Sequence, residues 1–258
     1  MHSLLETVLE RGCRGRPLIG AHRGASARAP ENTLGAFCAA LQDGAELIEL
    51  DVHLSADRRL VVIHDDTVDR TTNGSGSVRE LRADAITRLD AGSWFSPEFT
   101  GERVPLLDAV LAWARGRVGL VIELKLGPVW YPGIEEVLVA TLRAQQATRE
   151  VLVISSDHHA VKRVKQLDAT IPTAIMYGGR PLDPVGMARA AGADAVRPDQ
   201  WTVTAEDVEV CHAAGLAVIP WTVNDVVNMR RLVGLGVDGM SSDYPERLGQ
   251  VLARQADE

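Results

Sequence analysis

The sequence predicts an α/β protein: a TIM-type barrel of eight strand–helix units. Three observations lead there. Apolar strand-like segments alternate with segments of helical period along nearly all of the 258 residues, the pattern of parallel α/β folds. Unexpected polar residues fall at the C-terminal ends of those strands, where such barrels carry their working groups. An open doubly wound sheet is the alternative, weakened because no glycine-rich loop of dinucleotide-binding spacing follows the first strand.

Residues 17–21 (PLIGA) form the first strand. Residues 33–41 follow as a helix, with Leu34, Phe37, Cys38 and Leu41 on one face. Strand 47–54 comes next, then strand 60–63, which ends in His64-Asp65-Asp66. Residues 67–103 break the rhythm, being rich in Gly, Ser, Thr, Asn and Asp, with Trp94, Phe95 and Phe99 near their end. They read as an insertion after the third strand segment, lying over one end of the domain without a core of its own. Pro105 opens a helix through Trp113. Strand 118–124, helix 134–144 and strand 151–155 follow, then a helix through Val161, Val164 and Leu167. Strand 173–177 precedes helix 185–191, which ends at the C-cap signal Gly192. After a short strand at 195–197, Thr204 caps helix 205–214, closed by Gly215. Strand 217–221 leads to a helix capped by Asn224 or Asp225. Strand 237–241 is the last, and Pro245 starts the last helix. Nine strand segments and eight helices are read as eight strand–helix units, with 60–63 as one of the strands and 1–258 as one domain.

Composition sets the outer bounds. With 46% hydrophobic and 24% charged residues, the chain can bury a sizeable core. A net charge of −8, no Lys/Arg run and 4% aromatics argue against a nucleic-acid binder. No apolar run is long enough for stable membrane insertion. The first sixteen residues lack the pattern of a signal peptide; Leu4, Leu5, Val8 and Leu9 suggest a short amphipathic helix. Cys13, Cys38 and Cys211 are spaced for neither a disulfide framework nor a zinc site, so a reducing cytoplasm is the expected compartment. Cys38 is expected in the core. An acidic chain can still bind a small anion if local cations or a metal help it, and a homo-oligomer stays open.

The strand Leu47-Ile48-Glu49-Leu50-Asp51-Val52-His53 holds the clearest anomaly. Strand side chains alternate, so Glu49 and Asp51 share a face. Adjacent carboxylates repel, and burying them unpartnered is costly. A bound cation resolves this; so does the solvated face of an edge strand. The other strand ends favour the cation. His22 and Arg23 end the first strand, and His64 ends the segment at 60–63. Glu123 and Lys125 share one face of strand 118–124, and Trp221 ends strand 217–221. Each alone has an ordinary structural use; their recurrence around one barrel mouth does not. Glu49, Asp51 and Glu123 offer three hard oxygen ligands without His or Cys, which suits Mg²⁺ or Ca²⁺ better than Zn²⁺. His22 and His64, with unperturbed pKa values of about 6.5, can exchange protons near neutral pH. Arg23 and Lys125 can hold phosphate oxygens. Three carboxylates, one divalent ion and two basic side chains leave a single positive charge, matching a monoanionic phosphodiester. Two imidazoles beside it can take a proton from the nucleophile and give one to the leaving alkoxide.

In order, these residues resemble the motifs of the glycerophosphodiester phosphodiesterase family. The match runs through His22-Arg23-Gly24, Pro30-Glu31-Asn32-Thr33, Glu49-Leu50-Asp51 and Val62-Ile63-His64-Asp65. It continues through Asp69-Arg70-Thr71-Thr72-Asn73-Gly74, Ala91-Gly92-Ser93-Trp94-Phe95 and Val104-Pro105. Glu123-Leu124-Lys125, Trp221-Thr222-Val223-Asn224 and Asp243-Tyr244-Pro245 complete it. The resemblance implies a TIM-type barrel that hydrolyses a glycerophosphodiester to glycerol 3-phosphate and an alcohol. It implies one divalent cation, Mg²⁺ or Ca²⁺, on Glu49, Asp51 and Glu123, with His22 and His64 as the acid–base pair. It also implies phosphate contacts from Arg23 and Lys125 and substrate-binding places for Glu31, Asn32 and Trp221. Glu31 falls in the metal shell or orients the glycerol; Asn32 has a second use as the first helix's N-cap. In this family a neighbouring glycerol hydroxyl can attack first and make a cyclic phosphate.

Two stretches depart from the family. Ser155-Ser156-Asp157 stands where Ser-Phe-Asp is frequent. Arg197-Pro198 stands where the family is variable and often neutral, and a solvated Arg197 is favoured over a headgroup contact. Both bear on the alcohol, not on the phosphodiester chemistry. A lysophospholipase D-like enzyme is the alternative. It needs an apolar patch or anchor at the mouth, for which the N-terminal helix is the candidate. A barrel that only binds its ligand would have lost one of the histidines or acids, and none is missing.

Overall fold

The computed structural model describes residues 16–255, so the expected N-terminal helix and Cys13 lie outside the described residues. Its strands are β1 (Leu18–His22), β2 (Leu47–Leu54), β3 (Leu60–Val62), β4 (Gly119–Leu124) and β5 (Val151–Ser155). Then come β6 (Thr173–Tyr177), β7 (Ala195–Pro198), β8 (Ala217–Val218) and β9 (Gly239–Ser242). The ladder runs β8-β7-β6-β5-β4-β2-β1-β9, parallel at every step. Backbone bonds from Asp238 N to Val218 O (2.9 Å) and from Val223 N to Ser241 O (2.8 Å) join its two ends. The result is the expected eight-stranded parallel barrel with alternating helices.

Apolar strands suit this ring because both faces are covered. Inward residues such as Leu18, Leu47, Val121, Leu152, Ala174 and Ala217 form one interior cluster. Outward residues such as Ile48, Leu50 and Ile122 pack with helix residues such as Leu107, Leu138 and Val164. The expected helix ends recur: Thr204 caps with Asp207 in a reciprocal capping box, Asp225 takes the N–H of Asn228 (2.9 Å), and Gly192 ends its helix at φ 70°. No helix among the described residues is long and apolar enough to cross a membrane.

Three expectations need correction. The segment at 60–63 is a strand but not one of the eight, since β3 returns antiparallel on β2, with Val62 opposite Val52. Only residues 55–59 connect them, whereas a parallel crossover takes about a dozen residues or more. The insertion does have a small core: its Val68, Val78, Ile86 and Ala91 cluster with Val61, Ile63 and Val104 from the flanking chain. The four from the insertion are scattered singly along the chain, so no period reveals them. Trp94, Phe95 and Phe99 stack edge to face outside it. Finally, the helix Leu34–Gln42 buries Ala36, Phe37 and Ala40, while Cys38 is exposed. Small residues face inward because the chain passes close: a Cβ on Gly24, at φ 84°, would lie 2.7 Å from Ala36.

Candidate active site

Strand register assembles the site. His22 pairs with Glu49 across β1 and β2, and Asp51 pairs with Glu123 across β2 and β4. Glu49, Asp51 and Glu123 are 2%, 0% and 8% exposed, and one oxygen of each lies within 4.8 Å of the others. The barrel thus brings together the three expected acids and buries them.

Basic groups interleave with them. Lys125 Nζ lies 3.1 Å from Asp51 and 2.9 Å from Glu123. Arg23 takes φ 56°, a left-handed conformation uncommon for a residue with a side chain. Its backbone N–H donates to Glu49 (3.0 Å), and its guanidinium reaches Glu31 (2.9 Å) and Asp51 (3.3 Å). Asn32 is not the helix cap, because Thr33 takes that place. Instead Asn32 Nδ2 donates to Asp51 Oδ2 (2.8 Å) and its Oδ1 accepts from the Asp51 N–H (3.3 Å).

Burial opposes ionisation of Asp51, but Lys125 and Arg23 outweigh it and hold the carboxyl well below the usual range. At Glu123 burial and the neighbouring Asp51 prevail, and the carboxyl is pushed up to about 7. A hard divalent cation fits this set. Asp51 Oδ1 is buried with no hydrogen bond, only the Lys125 ammonium 3.1 Å away as an ion pair, every donor is a carboxylate oxygen, and the acids crowd one another. In the ion-free protein, stability on this account falls as pH rises from about 4.5 towards about 7, since the folded state binds the extra proton there. An ion bound at Glu123 must displace that proton. At about pH 6, titration calorimetry in buffers of different ionisation enthalpy should show nearly one proton released per ion. Ion binding without buffer dependence would remove Glu123 from the ligands.

The histidines have matching supports. His22 Nδ1 lies 2.7 Å from Asp243 Oδ1, and His64 Nδ1 lies 2.7 Å from Asp65 Oδ1. An ionised carboxylate only accepts, so each Nδ1 donates and each Nε2 is left to exchange protons. Burial lowers the pKa of His22, but Glu49 and the Asp243 hydrogen bond outweigh it and raise it overall. Burial lowers His64, and Lys125 and Arg23 add to this against the pull of Asp51. The two imidazoles are pushed to opposite sides of their ordinary value, as suits an acid and a base.

Sequence reasoning missed the groups behind these residues. Asn224 Nδ2 donates to Asp243 Oδ2 (2.6 Å). Arg70 donates to Asp65 (2.7 Å) and to both oxygens of Glu31 (2.8 and 2.9 Å). Glu31, held by Arg23 and Arg70, is not among the clustered acids and links the two arginines instead. His53, 3% exposed, lies 2.9 Å from the Tyr131 hydroxyl and 2.8 Å from the His64 carbonyl. That carbonyl can only accept, so His53 Nε2 donates to it and Nδ1 accepts from Tyr131. The quoted motifs already contained Asp65, Arg70, Asn224 and Asp243; nothing in the sequence singled out Tyr131. Trp221 is half-buried against the barrel interior, and its indole N–H donates to the Arg197 carbonyl (2.9 Å). Arg197 corrects another expectation: it is 1% exposed and faces no solvent.

A parallel barrel with clustered acids, two aspartate-backed histidines and basic side chains at strand ends has the makings of a hydrolase of the phosphodiesterase class. The chain belongs to the glycerophosphoryl diester phosphodiesterase family, whose model matches residues 22–247. It is 41% identical over 234 residues to a glycerophosphodiester phosphodiesterase of Caldanaerobacter subterraneus subsp. tengcongensis, covering 90% of this chain and 96% of that protein. A Bacillus subtilis glycerophosphodiester phosphodiesterase is 34% identical over 257 residues, covering 92% and 86%. The solved Oleispira antarctica phosphodiesterase, in complex with the product sn-glycerol-3-phosphate, superposes with a TM-score of 0.84 at 29% identity, covering 94% and 99%. The glycerophosphodiester phosphodiesterase of Agrobacterium tumefaciens gives 0.81 at 33% identity, covering 91% and 99%.

Proposed function

We propose that this chain hydrolyses glycerophosphodiesters to glycerol 3-phosphate and an alcohol, with one divalent cation, Mg²⁺ or Ca²⁺, on Glu49, Asp51 and Glu123. The observation that carries the reading is the buried acid cluster flanked by two imidazoles, each backed by an aspartate at 2.7 Å. When bound, the ion supplies charge neutralisation and polarises a phosphoryl oxygen. Arg23 and Lys125 hold the remaining phosphate charge. His64, biased towards its neutral form, takes the proton of the attacking hydroxyl as the new O–P bond forms. His22, biased towards its charged form, gives a proton to the alcohol oxygen as the old P–O bond breaks. The attacking hydroxyl belongs to water, or to the glycerol if a cyclic phosphate forms first.

Because the base must be neutral and the acid charged, the rate should rise as His64 deprotonates below about 6.5 and fall as His22 deprotonates above it. A product assay over a panel of glycerophosphodiesters with Mg²⁺, Ca²⁺ and Mn²⁺ tests the function. Glycerol 3-phosphate is the expected product; a headgroup phosphate with free glycerol would refute the reading.

Residues 67–103, which carry Arg70, border the glycerol end in this proposal. Shortening them beyond Arg70 should impair discrimination between glycerophosphodiesters and simple synthetic phosphodiesters. Unchanged preference in a folded variant would make the segment a structural cover. One observation favours the lysophospholipase D-like alternative: loops after β4, β6 and β7 expose Trp130, Leu182 and Trp201 at 65%, 106% and 69%. Faster hydrolysis of lysophosphatidylcholine than of glycerophosphocholine would select it.

A further inference from the structure

Arg197 follows Ala195, an interior residue, by two positions on β7 and pairs with Met176 of β6, also interior. Strand alternation therefore turns its side chain into the barrel. It is 1% exposed. Nη2 donates to Ser241 Oγ on β9 (2.9 Å), while Nε and Nη1 are buried with no hydrogen-bond partner. Burial disfavours the charge on this guanidinium, and Glu49 and Glu123 are the charges that act against burial. An arginine nevertheless stays cationic.

Stability does not explain such a residue. A buried, half-satisfied cation costs free energy, and a well-packed apolar side chain of similar volume is often neutral or better. The neighbouring interior positions, Ala195 and Met176, are apolar in just this way. What Arg197 supplies is charge, held deep in the barrel: its partner Ser241 pairs with Gly20 and Gly20 with Leu47, two positions before His22 and Glu49, so the guanidinium lies behind the acids.

We propose that Arg197 is a positioning residue: a fixed cation behind Glu49 and Glu123 that loosens their hold on a divalent ion and gives the loaded site one further positive charge. The inference rests on the proposed function. Over the acids, the ion, Arg23 and Lys125 the formal sum is a single positive charge, and Arg197 raises it to two. The substrate phosphodiester is a monoanion. Attack by a deprotonated oxygen makes the transition state dianionic, and the product phosphate monoester carries a charge of about −1.5 to −2 at neutral pH. The added charge therefore favours the transition state over the substrate, which is the condition for acceleration.

The test compares the full-length protein with Arg197→Met and Arg197→Lys. Calcium affinity is measured by titration calorimetry on the metal-stripped proteins. Removing a like charge should tighten calcium binding by about tenfold or more, whereas a mere packing defect would leave the ligands looser and the affinity weaker. On the calcium-loaded proteins, Arg197→Met should bind glycerol 3-phosphate about tenfold more weakly and a monoanionic, uncleavable phosphonate ester nearly as before. Its kcat should fall more than its KM rises, and Arg197→Lys should stay near wild type in each measurement. If Arg197→Met does not fold, Arg197→Gln takes its place with the same expectations. Calcium affinity that is unchanged or weaker in the folded neutral variant overturns the inference while leaving the proposed function standing. A wild-type protein that binds no divalent ion overturns both.

Discussion

His22→Ala and His64→Ala should each lower kcat by about 10²–10⁴-fold, the usual worth of one positioned acid or base. In the proposed mechanism both groups work in the transition state more than in the ground state, so KM should change much less. The double variant should fall short of the product of the two losses, because groups acting in one displacement are not additive. Roles follow from a substrate with a much better leaving group, which needs little protonation. It should rescue His22→Ala and not His64→Ala, since His22 is the imidazole whose pKa is raised beside Glu49 and Asp243. Rescue of the other variant would exchange the roles. Near-normal turnover in both, with the fold intact, would leave the histidines as structural hydrogen-bonders.

Chelation should abolish activity, and Mg²⁺ or Ca²⁺ should restore it. The reason is electrostatic crowding: three buried carboxylates lie within 4.8 Å of one another, and without an ion one of them is pushed up to about 7. Lys125 then lies 3.1 Å and 2.9 Å from Asp51 and Glu123, engaged with carboxylates and not with the phosphate that the proposed function gives it. Asp51→Asn should do lasting damage that added ion does not repair. Asp51 is fully buried and meets Asn32, Arg23 and Lys125 at once. A loss of about 10³-fold or more in kcat/KM is expected, on the scale of removing one electrostatic stabiliser. Full turnover by a demonstrably metal-free preparation would defeat the assignment of Glu49, Asp51 and Glu123.

The sequence by itself determined the barrel and the three acids gathered at its mouth. Apolar alternation and helical period are local properties, readable over a few residues, and β2 and β5 carry the limits expected of them. Acids on an otherwise apolar strand were legible for the same reason: Glu49 and Asp51 are two apart, and the pleat alone puts them on one face. The tertiary structure decided which residues meet when they lie far apart in the chain. Asn32 turns from a cap into a brace for Asp51, nineteen positions away. Glu31 becomes a link between Arg23 and Arg70, and Asp243, just past β9, reaches His22 on the neighbouring β1. Arg197, expected in solvent, lies inside the barrel because strand register, set by partners on both sides, turns it inward. Local periodicity specifies the face a side chain takes on its own element. Only the packing of distant elements specifies which charge that face meets, and in a buried site those meetings set the pKa values and the ion site.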